Sequence, residues 1–164
     1  MDAVDKEILR LLQRDASLTV KQIAQRVHLS AAPCWKRIRR LEESGVIQGR
    51  VAILDAKKVN ADVTVFVNIK IDRHSKEWID QFAPTVSELP EVLEIYRMSG
   101  EVDYLLKIAV SSIDAYDQFY KKLISRVELS NVSSSFAMER IKCTTALPIN
   151  IDDHGKGRAR FAAR

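Results

Sequence analysis

The stretch Ser30-Ala31-Ala32-Pro33-Cys34-Trp35-Lys36-Arg37-Ile38-Arg39-Arg40-Leu41 decides how the first part of this chain is read. Ser30 is a good N-cap residue, and Pro33 falls in the first turn, where its missing N–H costs little. Cys34, Ile38 and Leu41 then share one apolar face, and everything charged lies elsewhere on the helix. Four of the five residues from Lys36 to Arg40 are cationic. The helix is predicted to run to about Ser44 and to stop at Gly45, the residue best able to take the left-handed C-terminal position. Val46-Ile47 would resume an extended chain.

Two shorter patterns precede it. Val4, Ile8, Leu11 and Leu12 repeat at helical spacing until Asp15-Ala16-Ser17-Leu18-Thr19 interrupts them, which predicts a helix over residues 3–14. Val20, Ile23, Ala24 and Val27 follow Thr19, with Gln22 three residues on, the spacing of a capping box. Two short helices before a basic third one match a helix-turn-helix. Small Ala31 and Ala32 would let the backbone approach base edges in a major groove. On this reading Ser30, Ala31, Ala32, Trp35, Lys36, Arg37, Arg39 and Arg40 form the DNA-binding set. Ala32, Trp35 and Lys36 face the groove, Arg37, Arg39 and Arg40 include the phosphate clamps, and Cys34 is core. A basic run alone reads equally as the solvated face of a surface helix; the three-helix context favours DNA.

Charge placement agrees. Residues 1–50 hold ten Lys/Arg against six Asp/Glu, residues 51–150 hold twelve against fourteen, and the last 14 residues four against two, which sums to the net +4. A basic first third suits a polyanion. With 46% hydrophobic and 29% charged residues, a folded protein is expected rather than a disordered one. No window has the apolar length of a membrane span and the first residues lack a signal-peptide profile, so a cytoplasmic location is expected. Cys34 and Cys143 are far apart and expected to be reduced. His28, His74 and His154 have no neighbouring ligand at a metal-binding spacing, so no metal site is expected.

Beyond Gly49 the period changes to two. Val63, Val65, Val67, Ile69 and Ile71 alternate as a strand with one apolar face. Trp78, Ile79, Phe82 and Val86 return to helical spacing, and Val92–Met98 and Tyr104–Val110 read as strands around the Ser99-Gly100-Glu101 turn. Ile113, Tyr116, Phe119, Tyr120, Leu123 and Ile124 make a second amphipathic helix, and Val132, Ser134, Phe136 and Met138 begin a last strand. The order βαββαβ predicts a ferredoxin-like sheet with helices on one face. The fold class is therefore α+β: a three-helix winged helix-turn-helix domain over 1–49, a linking strand or hinge over 50–62, the βαββαβ domain over 63–149, and a basic, mobile tail over 150–164.

Leu29-Ser30, Cys34-Trp35-Lys36-Arg37-Ile38, Leu41-Glu42 and Gly45-Val46-Ile47 resemble the recognition helix and exit of the Lrp/AsnC (leucine-responsive/asparagine-responsive) regulators. Gly100-Glu101-Val102-Asp103-Tyr104-Leu105-Leu106 resembles that family's glycine-x-x-aspartate-tyrosine turn, and Ser135–Lys142 its closing strand. The resemblance runs from about residue 2 to residue 149. It implies a regulator of amino-acid metabolism whose second domain, of the RAM/ACT-like type, pairs its sheet with another subunit's. It also implies that a free amino acid binds between neighbouring subunits, in homodimers usually assembled into octamers.

The effector set implied is Ser99, Gly100, Glu101, Val102, Asp103 and Tyr104 of one chain with Ser134, Ser135, Phe136 and Ala137 of the same chain or a neighbour. The chemistry is coherent: Gly100 permits a tight turn that offers backbone amides to a carboxylate, and Asp103 can pair with an ammonium group. Without the resemblance, Gly100 and Asp103 read as hairpin residues. The Pro-Cys-Trp-Lys-Arg helix start and the Thr144-Thr145-Ala146-Leu147-Pro148 ending look more like a cysteine-responsive subgroup. That implies cysteine or another small amino acid as effector, with no further cofactor.

Two other functions compete with this one. An enzyme is disfavoured: there is no nucleophile-and-base set and no Gly-rich phosphate loop, and the Glu101/Asp103 carboxylates have no His or Lys nearby in sequence. An effector-independent DNA-organising protein of the same fold would keep the helix-turn-helix and use the second domain for assembly alone.

Overall fold

In the computed structural model, which describes residues 1–71, 76–127 and 129–149, the first helix, α1 (Ala3–Arg14), opens on a reciprocal cap. The Asp2 carboxylate accepts from the Asp5 N–H at 2.8 Å, while the Asp2 N–H donates to Asp5 Oδ2 at 3.1 Å. Helix α2 (Val20–Arg26) opens on Thr19 and Gln22 in the same way, as their spacing predicts. It ends in a Schellman-type turn: Leu29 N–H bonds to Ala24 C=O at 2.9 Å and His28 N–H to Gln25 C=O at 3.4 Å. His28 occupies the left-handed position, φ +54°, that glycine usually takes. Helix α3 (Ala31–Glu43) has Ser30 at its N-cap position, but the Ser30 side chain makes no capping hydrogen bond, unlike the sequence expectation. Gly45 takes φ +73° past its C-terminus, as expected.

The chain divides into two units, residues 1–52 with 142–149, and residues 53–141. In the first, Ile8, Leu9, Ile23, Ala24, Val27, Cys34, Ile38 and Leu41 are buried together. Residues 142–149, read with the second domain, fall in the first unit. The last described segment packs with the first unit: Ile149 lies against its core, Gln13 and Leu147 exchange hydrogen bonds of 2.6 and 3.2 Å, and Arg10 donates to Ile149 C=O. The amide of Gln13 thereby satisfies both backbone groups of Leu147, as a strand neighbour would.

The linking strand expected over 50–62 is not formed. Residues 56–60 make a tight turn, with Lys58 and Val59 N–H on Asp55 C=O at 3.0 and 3.2 Å and Asn60 at φ +56°. Asp55 Oδ1 also takes the Lys57 N–H at 3.0 Å. An aspartate two residues before free amides favours this turn over an extended chain.

The second unit runs β1 (Val63–Lys70), α4 (Lys76–Ser87), β2 (Val92–Arg97), β3 (Tyr104–Val110), α5 (Ile113–Arg126) and β4 (Asn131–Phe136). The antiparallel sheet has the order β2-β3-β1-β4, the predicted ferredoxin-like topology. Register pairs Val65 with Ile108, Val67 with Leu106 and Ile69 with Tyr104, so these residues share one face. They are buried with Phe82 and Val86 of α4 and Phe119 and Leu123 of α5. The opposite face carries Phe66, Leu105 and Tyr96, with Phe66 37% and Tyr96 49% exposed. β4 ends at Phe136, two residues short of the expected Met138, which is almost fully exposed. Among the described residues no helix is long and apolar enough to cross a membrane. The tail expected to be mobile, 150–164, lies outside the described residues, as do His74 and His154.

Candidate functional site

Helix α3 divides into three stripes. Cys34, Ile38 and Leu41 are buried, as read from their spacing, and burial pushes the Cys34 thiol pKa up. Ala32, Lys36 and Arg39 fall at i, i+4 and i+7 and are exposed, with Trp35 beside them at 51% exposure. The Arg39 guanidinium stands 5.9 Å from the Trp35 ring and pairs with Glu43 at 3.2 Å on the surface. An indole and two cations on one outward stripe fit a groove lined with phosphates and base edges.

The third stripe, Arg37 and Arg40, points at the N-terminus of α1. Arg37 Nη1 donates to Asp5 Oδ1 at 2.8 Å and to Asp2 Oδ2 at 2.6 Å, and Arg40 Nη2 donates to Asp5 Oδ2 at 2.7 Å. Asp5 is wholly buried and the Arg37 side chain is 28% exposed. The Asp2 and Asp5 carboxylates raise the Arg37 pKa further. The Asp5 N–H, and then Arg37, hold Asp2 below the usual carboxylate range. Of the three arginines read as including phosphate clamps, Arg37 is thus bound to the protein's own carboxylates. Arg40 is half engaged, its side chain 62% exposed, and Arg39 faces out. Sequence reading missed this cluster. Its local signals were present, Asp2-x-x-Asp5 at a helix start and Arg37-x-x-Arg40 at helical spacing, but only tertiary packing joins them.

The turn between β2 and β3 is built from its backbone. Gly100 has φ +125°, a conformation L-residues rarely adopt. Met98 N–H bonds to Asp103 C=O at 2.8 Å, closing the hairpin. Asp103 then locks the hairpin to the end of β1: its N–H donates to Ile69 C=O at 3.0 Å and its Oδ2 accepts the Ile71 N–H at 2.9 Å. One oxygen of the carboxylate read as an ammonium partner is thereby engaged with the backbone. Tyr104 is buried and packs at 4.6 Å on Phe82 and 5.7 Å on Trp78, so its ring is core. Ser99, Gly100 and Glu101 are exposed and Val102 is half-buried. Folding brings Lys70 to Glu101 at 3.1 Å, a surface ion pair that sequence distance concealed.

Ser134 and Phe136 of β4 lie on the helix-covered face, where the Ser134 and Tyr116 hydroxyls are hydrogen-bonded and the Phe136 ring meets Tyr116 edge-on at 5.1 Å. Ser135 is on the opposite face and Ala137 N–H bonds to Thr64 C=O at 2.9 Å. Val132, not Ser134, is level with Tyr104 across β1. Phe136 is four residues further and two strands over, about 13 Å along and about 10 Å across. One chain therefore does not bring the turn and residues 134–137 together. Among the described residues no group of three His, Cys, Asp or Glu side chains could hold a metal ion. Cys143 is exposed and unpaired, and Cys34 is unpaired and buried.

A three-helix unit with a cationic, indole-bearing outward stripe, joined to a ferredoxin-like domain, defines a two-domain DNA-binding regulator. Residues 1–48 match the family described as winged helix-turn-helix DNA-binding, and residues 64–147 match the Lrp/AsnC ligand binding domain. The chain is 49% identical over 150 residues to the DNA-binding transcriptional activator DecR of Escherichia coli strain K12, covering 91% of this chain and 99% of DecR. It is 50% identical over 149 residues to a glutamate uptake regulatory protein of Zymomonas mobilis, covering 91% of each. Among solved structures, an AsnC family transcriptional regulator from Agrobacterium tumefaciens superposes with TM-score 0.88 at 57% identity, over 90% of this chain and 97% of that one. A transcriptional regulator from Neisseria meningitidis in complex with L-Met superposes with TM-score 0.87 at 35% identity, over 92% and 97%.

The chain belongs to the Lrp/AsnC family of transcriptional regulators. It is a DNA-binding regulator with a ligand-binding domain, and not an enzyme.

Proposed function

We propose that this chain is a cytoplasmic regulator of amino-acid metabolism that reads DNA through the outward stripe of α3. A small amino acid, cysteine or one of similar size, binds between subunits. The observation that carries the effector reading is the exposed Ser99–Glu101 turn, with Gly100 at φ +125°, in a domain matched to a ligand-binding family. The L-Met complex of the Neisseria relative supports an amino acid as the ligand class.

On this reading the turn's backbone receives the carboxylate, Glu101 is the exposed acidic partner for an ammonium group, and Asp103 and Tyr104 hold the turn in place. Ser134, Ser135, Phe136 and Ala137 come from a neighbouring chain, because within one chain they lie far from the turn. The open sheet face with Phe66, Leu105 and Tyr96 is the pairing surface of a homodimer, which assembles further into an octamer. An effector then alters DNA binding only if it favours one assembly state over another.

The test is a thermal-shift screen of the purified protein against the twenty amino acids, followed by a gel shift on its own upstream DNA with each hit. A hit that raises Tm and alters the DNA complex establishes the reading and names the effector. Tight DNA binding with no hit overturns the effector half and favours a DNA-organising role.

A further inference from the structure

Two carboxylates and two guanidiniums, from the first and third helices and the N-cap of the first, form one closed ionic cluster under the DNA-reading helix. Asp5 is wholly buried and receives three hydrogen bonds: Arg37 at 2.8 Å, Arg40 at 2.7 Å and the Asp2 N–H at 3.1 Å. Asp2 receives Arg37 at 2.6 Å and the Asp5 N–H at 2.8 Å. The formal charges of the four side chains cancel. The two carboxylates draw Arg37 away from the stripe that carries Lys36 and Arg39. Arg40 gives one nitrogen to Asp5 and keeps most of its side chain in solvent.

We propose that Asp5, with Asp2, is a positioning residue for DNA binding that removes Arg37 from the set of phosphate contacts and holds Arg40 pre-oriented toward the backbone. The physical reason is competition for the same donor fork. A guanidinium bound to a carboxylate in a buried cluster can move to a phosphate only by leaving that carboxylate uncompensated, and Asp5 has no access to water that would replace the broken bonds. Each arginine spends one nitrogen on the cluster, but Arg37 is 28% exposed and shared by two carboxylates whereas Arg40 is 62% exposed, so Arg40 can turn its remaining N–H donors outward while Nη2 stays on Asp5. The cluster also tethers α3 to α1 at the recognition helix's own cations, which fixes the rotation of α3 about its axis and hence the direction of Lys36 and Arg39. By neutralising two cations beside the stripe, it limits attraction to DNA of any sequence and leaves discrimination to the residues that reach base edges.

This inference rests on α3 being the DNA-contacting helix, and the experiment separates the two. Binding of the full-length protein to a random-sequence duplex is followed by fluorescence anisotropy over a series of NaCl concentrations, with thermal unfolding of each variant measured alongside. Removing one cation from a phosphate flattens the log K against log [salt] slope by about 0.9. Lys36→Gln and Arg39→Gln are expected to flatten it by about that much, whereas Arg37→Gln leaves the slope unchanged while lowering Tm. Asp5→Asn, measured well below its own Tm, steepens the slope, because Arg37 is released to reach a phosphate. A purely architectural Asp5 would weaken binding and never steepen it. Asp2 is half exposed, so Asp2→Asn provides a second variant that should fold. It is expected to raise affinity for random DNA a few-fold at fixed salt. If Arg37→Gln flattens the slope as much as Arg39→Gln, Arg37 is a phosphate clamp and the proposal is overturned. If wild type binds but neither Lys36→Gln nor Arg39→Gln changes the slope, α3 is not the DNA face, and the premise fails with the inference.

Discussion

Helix α3 and the Gly100 turn each carry a short motif, and each motif divides its residues between an exposed surface and construction. On α3 the division leaves a finished surface: with Arg37 tied to Asp2 and Asp5, Trp35, Lys36 and Arg39 still face outward together. At the turn it leaves a fragment. Asp103 and Tyr104 are absorbed into the sheet end and the aromatic core, and the strand expected to complete the site lies elsewhere in the same chain. A helix presents a face by itself, because its hydrogen bonds are internal. A hairpin tip encloses nothing until something else closes over it.

The sharpest way to break this comparison is Tyr104→Ala. Removing a buried ring packed on Phe82 and Trp78 should cost about 3–5 kcal/mol. Chemical denaturation would report it, and an unchanged midpoint would return Tyr104 to the ligand side. On α3 the matching pair is Arg37→Ala against Arg39→Ala. The first removes a charged hydrogen bond to buried Asp5, worth about 1.5–3 kcal/mol on general grounds, and a weaker one to half-exposed Asp2. The second breaks an exposed pair with Glu43 and should shift stability by less than about 1 kcal/mol. Equal losses would mean that the two stripes of the helix are not distinct.

Asp103→Ala should cost about 1–3 kcal/mol, because the Ile71 N–H loses its acceptor. DNA affinity measured below the melting temperature should stay the same. If stability is unchanged while an effector response disappears, Asp103 is a direct ligand contact. His28→Gly should stabilise the first unit by about 0.5 kcal/mol. Relief of a left-handed conformation, about 1–2 kcal/mol, outweighs glycine's extra entropy of about 0.5–1.

The smallest effect concerns pH. Asp2 titrates below its usual 3.8 in the folded chain because the Asp5 N–H and Arg37 favour its charged form. Its contribution is therefore present above about pH 4 and lost as pH falls through the lower folded value. Asp2→Asn should flatten the acid limb of the melting curve below pH 4. An unaltered limb would show that Asp2 adds nothing to the cluster.

Most of the fold was legible in the sequence. Caps, the glycine stop after α3 and the switch from helical to alternating periodicity are local signals, and the elements formed where these signals lay. Even α4 runs through Pro84, because Phe82 and Val86 on its inner face are buried while Pro84 is exposed. The contacts that local patterns did not show come from residues whose partners are distant. Gln13 holding Leu147, Asp5 holding two arginines and Asp103 holding Ile71 all join positions more than thirty residues apart.

The sequence by itself determined the element order, the two core faces, the basic helix and the family. The first three follow from periodicity and caps, and the family from the resemblance of short motifs, all of them properties of neighbouring residues. Tertiary structure alone decided which arginines bind the chain's own carboxylates, which motif residues are tied into the sheet, and that residues 142–149 pack with the first unit. Polar side chains bind whatever complementary group packing brings within about 3 Å, and no local pattern encodes that partner.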